Sequence, residues 1–194
     1  MRNNIAFDLD GVLVDILPVL DTVLQEMCGA KLPENMTEFK IKIPGLSGNE
    51  VQGCINEALS RVTEIKINPM ADVLFKELYK ITGEPVLIIT ARPKWLASQT
   101  YLLIDRMTKV PIRLSMVTGW PEKLAHLGPI EYFVEDRRRT ALNLVQNRRR
   151  CFLIDKSYNQ CPKQERLIRL KDIGDLLGLI DLLTFDDDLG RSAA

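Results

Sequence analysis

Asn3-Asn4-Ile5-Ala6-Phe7-Asp8-Leu9-Asp10-Gly11-Val12-Leu13-Val14-Asp15 is the stretch on which the reading of this chain turns. The apolar run Ile5-Ala6-Phe7 reads as a short buried strand, and it ends in two carboxylates, Asp8 and Asp10, followed by Gly11. In an extended backbone the i, i+2 spacing sends both side chains to one face. Two carboxylates crowded at a strand end repel each other unless a cation or a shared proton intervenes. Such a pair suits a hard cation, and one member can also serve as a nucleophile. Taken alone, Asp-Gly after a strand is equally turn chemistry.

Outward from this stretch, four more apolar runs, at residues 85–90, 112–118, 131–135 and 150–155, join the first, at residues 4–9, as expected strands. They are continuous rather than alternating, the pattern of a parallel sheet covered on both faces. Helical patterns fall between them. Residues 70–82 put Val73, Leu74, Leu78 and Ile81 on one face and stop at Gly83. Residues 94–107 follow Pro93, which suits a first helical turn, and residues 137–147 and 172–183 complete the set. This alternation predicts an α/β fold: a doubly wound, Rossmann-like parallel sheet with right-handed crossovers. Residues 16–68 interrupt it with two helical stretches, 16–29 and 49–64, a connection through residues 31–48 that carries Pro and Gly, and no convincing strand. They read as a small helical cap inserted after the first strand, over the strand ends where open α/β sheets place their ligands. The expected division is a core of residues 1–15 and 69–185, a cap of residues 16–68, and a tail of residues 186–194 that frays.

Composition narrows the function classes. The 194 residues carry 26 basic and 26 acidic side chains and no formal net charge, which weighs against a nucleic-acid footprint. Cys28, Cys54, Cys151 and Cys161 lie far apart without a CxxC pairing, and read as packed free thiols of a reducing compartment. A first strand that starts almost at Met1, and the lack of an apolar run near the ~20 residues that span a bilayer, predict no leader, no membrane partner and a cytoplasmic location. The runs Arg137–Arg139 and Arg148–Arg150 bracket one helix and read as a solvated, salt-bridged face.

The strand ends supply the chemistry. The first gives Asp8 and Asp10; the second gives Thr90, Ala91 and Arg92; the fourth gives Glu135 and Asp136; and Gly119-Trp120-Pro121-Glu122-Lys123, between the third and fourth, offers an ammonium. A parallel sheet points all these ends to one edge. Carboxylates with water suit Mg²⁺, and Lys, Arg and Thr suit a phosphoryl group. Each residue has a plainer reading. Thr90 can cap the helix that follows, Arg92 can form a surface salt bridge, Lys123 can be an exposed lysine, and Glu135 and Asp136 can pair with the arginines after them.

The set Asp8-x-Asp10-Gly11-Val12, Thr90, Lys123 and Glu135-Asp136, in this order, resembles the four motifs of the haloacid dehalogenase-like superfamily of phosphohydrolases. The resemblance implies a Mg²⁺-dependent phosphatase acting on a small phosphorylated substrate. Asp8 then stands where the family has its nucleophile, which forms an aspartyl-phosphate, and Asp10 where it has its general acid/base. Thr90, Ala91, Arg92 and Lys123 become phosphate-binding. Asp8, Asp10 through its backbone carbonyl, and Asp136 become the metal ligands, with Glu135 as their support or alternate. Within the superfamily the chain resembles the 5′(3′)-deoxyribonucleotidase-like group, on the early helical insertion, on Phe133–Arg137, and on Phe152-Leu153-Ile154-Asp155-Lys156-Ser157-Tyr158-Asn159. Two departures stand out. Ser157 replaces that group's usual proline, and Phe39 is the one aromatic in an insertion that usually supplies a platform for the base. Two other activities are weighed: a 3′-phosphatase on nucleic-acid ends, suggested by the arginine runs, and a non-catalytic phosphate-binding protein on the same scaffold. Dehalogenation attacks carbon without Mg²⁺, and would leave Asp10, Glu135 and Asp136 without work.

Overall fold

A computed structural model describes residues 2–33, 36 and 41–185. Phe39 and the tail 186–194 lie outside the described residues. In chain order the elements are β1 (Arg2–Asn3), β2 (Ile5–Phe7), β3 (Val14–Asp15), α1 (Leu17–Cys28), α2 (Gly48–Ser60), β4 (Lys66–Ile67), α3 (Met70–Thr82), β5 (Val86–Thr90), α4 (Ala97–Met107), β6 (Ile112–Met116), α5 (Trp120–Leu127), β7 (Tyr132–Glu135), α6 (Arg138–Gln146), β8 (Arg150–Ile154), β9 (Leu167–Leu170), α7 (Ile180–Leu183) and β10 (Thr184–Phe185).

The sheet is parallel and has six strands in the order β6-β5-β2-β7-β8-β9. The doubly wound α/β expectation is met. β2 lies inside the sheet, and all three of its residues are fully buried. Its side chains divide between two apolar layers. Ile5 and Phe7 join the layer that holds Leu74, Phe75, Leu78, Leu103 and Ile104; Ala6 joins the layer that holds Leu127, Ala141 and Leu144. Helices α3 and α4 therefore cover one face, and α5 and α6 the other. The alternation follows from the strand period of two, and continuous apolar strands are what burial on both faces demands.

Several expectations are corrected. β9 is a sixth strand that the sequence reading lacked. Its Arg169 interrupts the apolar run, and Ile168, on the edge of the sheet, is 40% exposed. Residues 120–127 form a helix to which the sequence reading gave no element; Pro121 stands in its first turn, where a missing N–H costs nothing. Residues 173–179 wind as a 3₁₀ helix, bearing Gly174 and Gly178, and only Ile180–Leu183 is α-helical. The second helix of the insertion ends at Ser60 rather than at residue 64. The segment expected to lack strands contains β4, paired antiparallel with β3 (Val14↔Ile67, Asp15↔Lys66). A ladder of two residues is too short to leave a periodic trace. Among the described residues, no helix is long and apolar enough to cross a membrane.

Helices α1 and α2 pack on each other through Val19, Val23, Leu24, Val51 and Ala58. Ser47 starts α2 with a reciprocal cap: its hydroxyl accepts from the Glu50 N–H, and the Glu50 carboxylate accepts from the Ser47 N–H. Beneath β2, the Phe7 ring meets Phe75 edge-on, with centroids 5.1 Å apart. Both rings are fully buried, so Phe75→Ala opens a cavity under the strand that ends at Asp8. Such truncations cost about 3–5 kcal/mol. The expected outcome is a loss of that size in chemical denaturation, with the m-value unchanged.

Candidate active site

Register brings the acids together. β2 pairs with β7 at Phe7↔Val134, so the next residues, Asp8 just past β2 and Glu135 at the end of β7, stand side by side. Asp136 follows. Asp8, Glu135 and Asp136 are all buried, and each offers an oxygen within 4.8 Å of the others'. On the far side of the sheet, α5 carries Lys123 inward, 3% exposed. Its Nζ donates to Asp8 Oδ2 at 2.7 Å and to Glu135 Oε2 at 3.0 Å, and lies 5.4 Å from the centre of the Phe133 ring. Lys123 is thus not the exposed lysine of the plainer reading. The Glu135 Oε1 accepts the backbone N–H groups of Asp136 and Arg137.

Three carboxylates around one ammonium leave negative charge in a place without water. Burial, only partly offset by Lys123, raises the Asp8 carboxyl to about 8. Burial and the Asp8 charge raise Asp136 to about 6, and burial raises Glu135 as well. Burial alone would lower the Lys123 ammonium, but Asp8 and Glu135 outweigh it and hold Lys123 above the ordinary lysine value.

Asp136 is fixed from behind by the chain after β8, the strand next to β7. Tyr158 donates its hydroxyl to Asp136 Oδ2 at 2.6 Å. The Asn159 amide donates to the Asp136 carbonyl at 2.7 Å and to the Ile154 carbonyl at 2.6 Å. Arg169 on β9 donates to Asn159 Oδ1 at 2.7 Å and also binds Asp155. One oxygen of Asp136, Oδ1, stays buried with no partner. Tyr158 and Asn159 carried only a family resemblance in the sequence; their place just past a strand that neighbours β7 was the available signal.

Gly11 makes the close approach possible. Its φ is +80°, and a Cβ there would stand 2.1 Å from Asp136 Oδ2. The turn it makes is tied by the Gly11 N–H to the Val14 carbonyl at 2.8 Å. This turn also separates the two aspartates. The strand stops at Phe7, so the two carboxylates meet different basic side chains rather than sharing one face of an extended strand. Asp8 faces Lys123. Asp10, a quarter exposed, faces Arg92, whose Nε and Nη2 donate to its two oxygens at 2.9 and 2.7 Å. Arg92 is buried, with Nη1 unpartnered, and its fork closes on Asp10. It is therefore not a surface salt bridge, and Nη1 keeps its donors unspent. Thr90, 1% exposed, ends β5 and accepts the Arg92 N–H at 3.2 Å, within its own loop rather than at the start of α4. Ala91 is exposed between them.

The arginine runs brace loops. Arg149 donates to the Ile130 and Gly128 carbonyls, Arg138 to the Gln160 carbonyl, and Arg150 pairs with Glu131. Trp95, three residues after Arg92, is 63% exposed.

No protein-family model and no curated protein matches the sequence. Solved structures match it in fold. A haloacid dehalogenase-like hydrolase from Bacteroides fragilis aligns at 13% identity and a TM-score of 0.63, over 91% of this chain and 100% of its own. A haloacid dehalogenase-like family hydrolase from Streptococcus pneumoniae aligns at 17% identity and 0.60, over 92% of this chain and 98% of its own. A structure described as a phosphoglycolate phosphatase from Lactobacillus plantarum aligns at 17% identity and 0.58, over 92% and 100%. The fold is that of the haloacid dehalogenase-like hydrolases.

Two outcomes are expected. Gly11→Ala strains a left-handed backbone position and drives a methyl group into Asp136, so it lowers stability by about 1–3 kcal/mol in denaturant titration. The second concerns pH. Asp8 and Asp136 have folded values above the ordinary 3.8, so they bind protons more tightly folded than unfolded. Their contribution to stability is complete below about pH 4 and is lost as pH rises through about 6 and about 8. In chelator-treated buffer the Tm falls from pH 5 to pH 8, and Asp8→Asn flattens that slope.

Proposed function

We propose that the chain is a phosphomonoester hydrolase, with Asp8 as nucleophile and Asp10 as proton carrier, that works with Mg²⁺. The observation that carries this reading is the buried group Asp8, Glu135 and Asp136, bridged by Lys123 at the carboxyl end of an inner strand. The fold it shares with haloacid dehalogenase-like hydrolases supports it.

The donor set suits a hard cation. All the candidate ligands are oxygens, and Asp136 Oδ1 is buried with nothing to satisfy it. Asp8 and Asp136 would hold Mg²⁺, together with the Asp10 carbonyl. Glu135 has its carboxylate taken up by Lys123 and two backbone N–H groups, which suits support better than ligation. Bound there, the ion neutralises charge on the phosphoryl oxygens.

In the first step an Asp8 oxygen attacks phosphorus, the bond to the leaving oxygen breaks, and Asp10 gives that oxygen its proton. In the second, Asp10 takes a proton from water, the water oxygen attacks phosphorus, the bond to Asp8 breaks, and phosphate leaves. An ammonium has three donors and Lys123 uses two on Asp8 and Glu135, so the third is open to a phosphoryl oxygen. Thr90 accepts from Arg92 and keeps its own proton to donate. Arg92 is a positioning residue: its two-pronged hold sets where Asp10 stands. Residues 16–68 act as the cap that selects the leaving group. A nucleoside monophosphate is the substrate suggested by the segment through Tyr158 and Asn159, and Trp95 offers an exposed ring. Structures described as a phosphoglycolate phosphatase and a β-phosphoglucomutase share the fold, so a sugar phosphate and phosphoglycolate belong in the same panel.

The test is phosphate release from nucleoside 5′-monophosphates, a 3′-phosphorylated oligonucleotide, sugar phosphates and phosphoglycolate, with Mg²⁺ and with chelator. Release that needs Mg²⁺ and is lost in Asp8→Asn is expected, with the mononucleotides turned over fastest. Binding of a phosphate analogue with release at background would leave only a binding protein. Arg92→Lys keeps the charge but not the fork. It lowers kcat by about 100-fold, the order that a small misplacement of a catalytic group costs, with KM little changed.

A further inference from the structure

Cys28 is the last residue of α1, and Cys54 lies in the middle of α2. Their Sγ atoms are 3.7 Å apart, in contact. Cys54 is fully buried and Cys28 is partly exposed. The two thiols belong to different helices of the insertion, and a second tie joins those helices nearby, Arg61 to Glu26 at 2.8 Å. A disulfide needs about 2.05 Å between sulfurs. The approach still required is about 1.7 Å, shared between two side chains. Cys28 can supply much of it, because it ends its helix and Gly29 follows in a left-handed conformation, φ 64°. Cys151 and Cys161 have no such contact. Cys151 is buried on β8, and the Cys161 sulfur instead meets Arg169 Nη1 at 3.7 Å.

We propose that Cys28 and Cys54 form a modification site, at which a peroxide converts the two thiols into a disulfide that staples α1 to α2. The exposed member reacts first. The Cys28 thiol gives up its proton, the thiolate attacks a peroxide oxygen, the O–O bond breaks, and Cys28 becomes a sulfenic acid as the departing hydroxide takes up that proton and leaves as water. The Cys54 sulfur, already against it, then attacks the Cys28 sulfur. The S–O bond breaks, the S–S bond forms, and the departing hydroxide takes the Cys54 proton as a second water. Two thiols are oxidised, one peroxide is reduced, and no other reactant is needed. The burial that raises the Cys54 thiol makes it a poor first target, and it reacts because its partner is held against it. The site stands apart from the phosphatase reading and survives its failure.

The experiment treats the native protein with a small excess of hydrogen peroxide and reads intact mass, free thiols and a non-reduced peptide map. The expected product is lighter by about 2 Da, has lost two of its four thiols, joins the Cys28 and Cys54 peptides, and reverts with dithiothreitol. Cys54→Ser, close in size, gains oxygen at Cys28 instead of losing hydrogen. The oxidised wild type melts higher by about 5–10 °C, because the bridge shortens the unfolded chain's freedom. The proposal is overturned by oxygen added to Cys28 with no bridge, by a bridge through Cys151 or Cys161, or by four thiols unchanged. A Cys28–Cys54 bridge that lowers the Tm also overturns it, since it would form only by forcing the helices apart.

Discussion

Everything around the site depends on one buried ammonium. Lys123 sits between Asp8 and Glu135, inside a protein that has no formal net charge overall but places three acids within reach of one another at this point. Removing a carboxylate from water is costly, and removing three without a counter-charge is prohibitive. Lys123 makes the cluster possible without neutralising it. The remaining negative charge lies buried at the carboxyl end of the sheet. Helix α5 delivers that side chain while its Leu127 packs into the apolar layer below.

The two aspartates of the opening stretch divide along the same lines. Each has its own cation: Asp8 has Lys123 and Asp10 has Arg92. The division is made by Gly11, whose turn draws the chain away from the sheet and lets Asp136 come close. A nucleophile must be fixed against the atom it attacks, whereas a proton carrier must work on two oxygens in succession. Under the proposed roles, burying Asp8 and leaving Asp10 a quarter exposed on a guanidinium fork matches those demands.

Much of this could be read from the chain before any coordinates. Ile5-Ala6-Phe7 and Val86–Thr90 are continuous apolar runs, and burial on both faces leaves that mark whatever the partners are. The polar residues at their ends stand out because the runs stop there. What was hidden depends on pairing. Nothing near Arg92 says that it reaches Asp10, 82 residues away, rather than solvent. Lys123 could equally be read as an exposed lysine because Gly119, Trp120 and Pro121 mask the start of a helix. β9 was missed because an edge strand with Arg169 in it has neither the continuous run nor a clean alternation. Tyr158 and Asn159 showed a resemblance but not their purpose, which is to hold Asp136 from the adjoining strand.

The two-residue pairing of β3 with β4 sets Asp15 against Lys66. The two ends of the segment between residues 16 and 65 are therefore pinned side by side. A segment attached in this way behaves in evolution like an accessory on a fixed mount. It can be lengthened, replaced or lost while the strand that ends in Asp8 keeps its register, so descendants of one ancestral reaction centre can diverge in what they accept without relearning the chemistry.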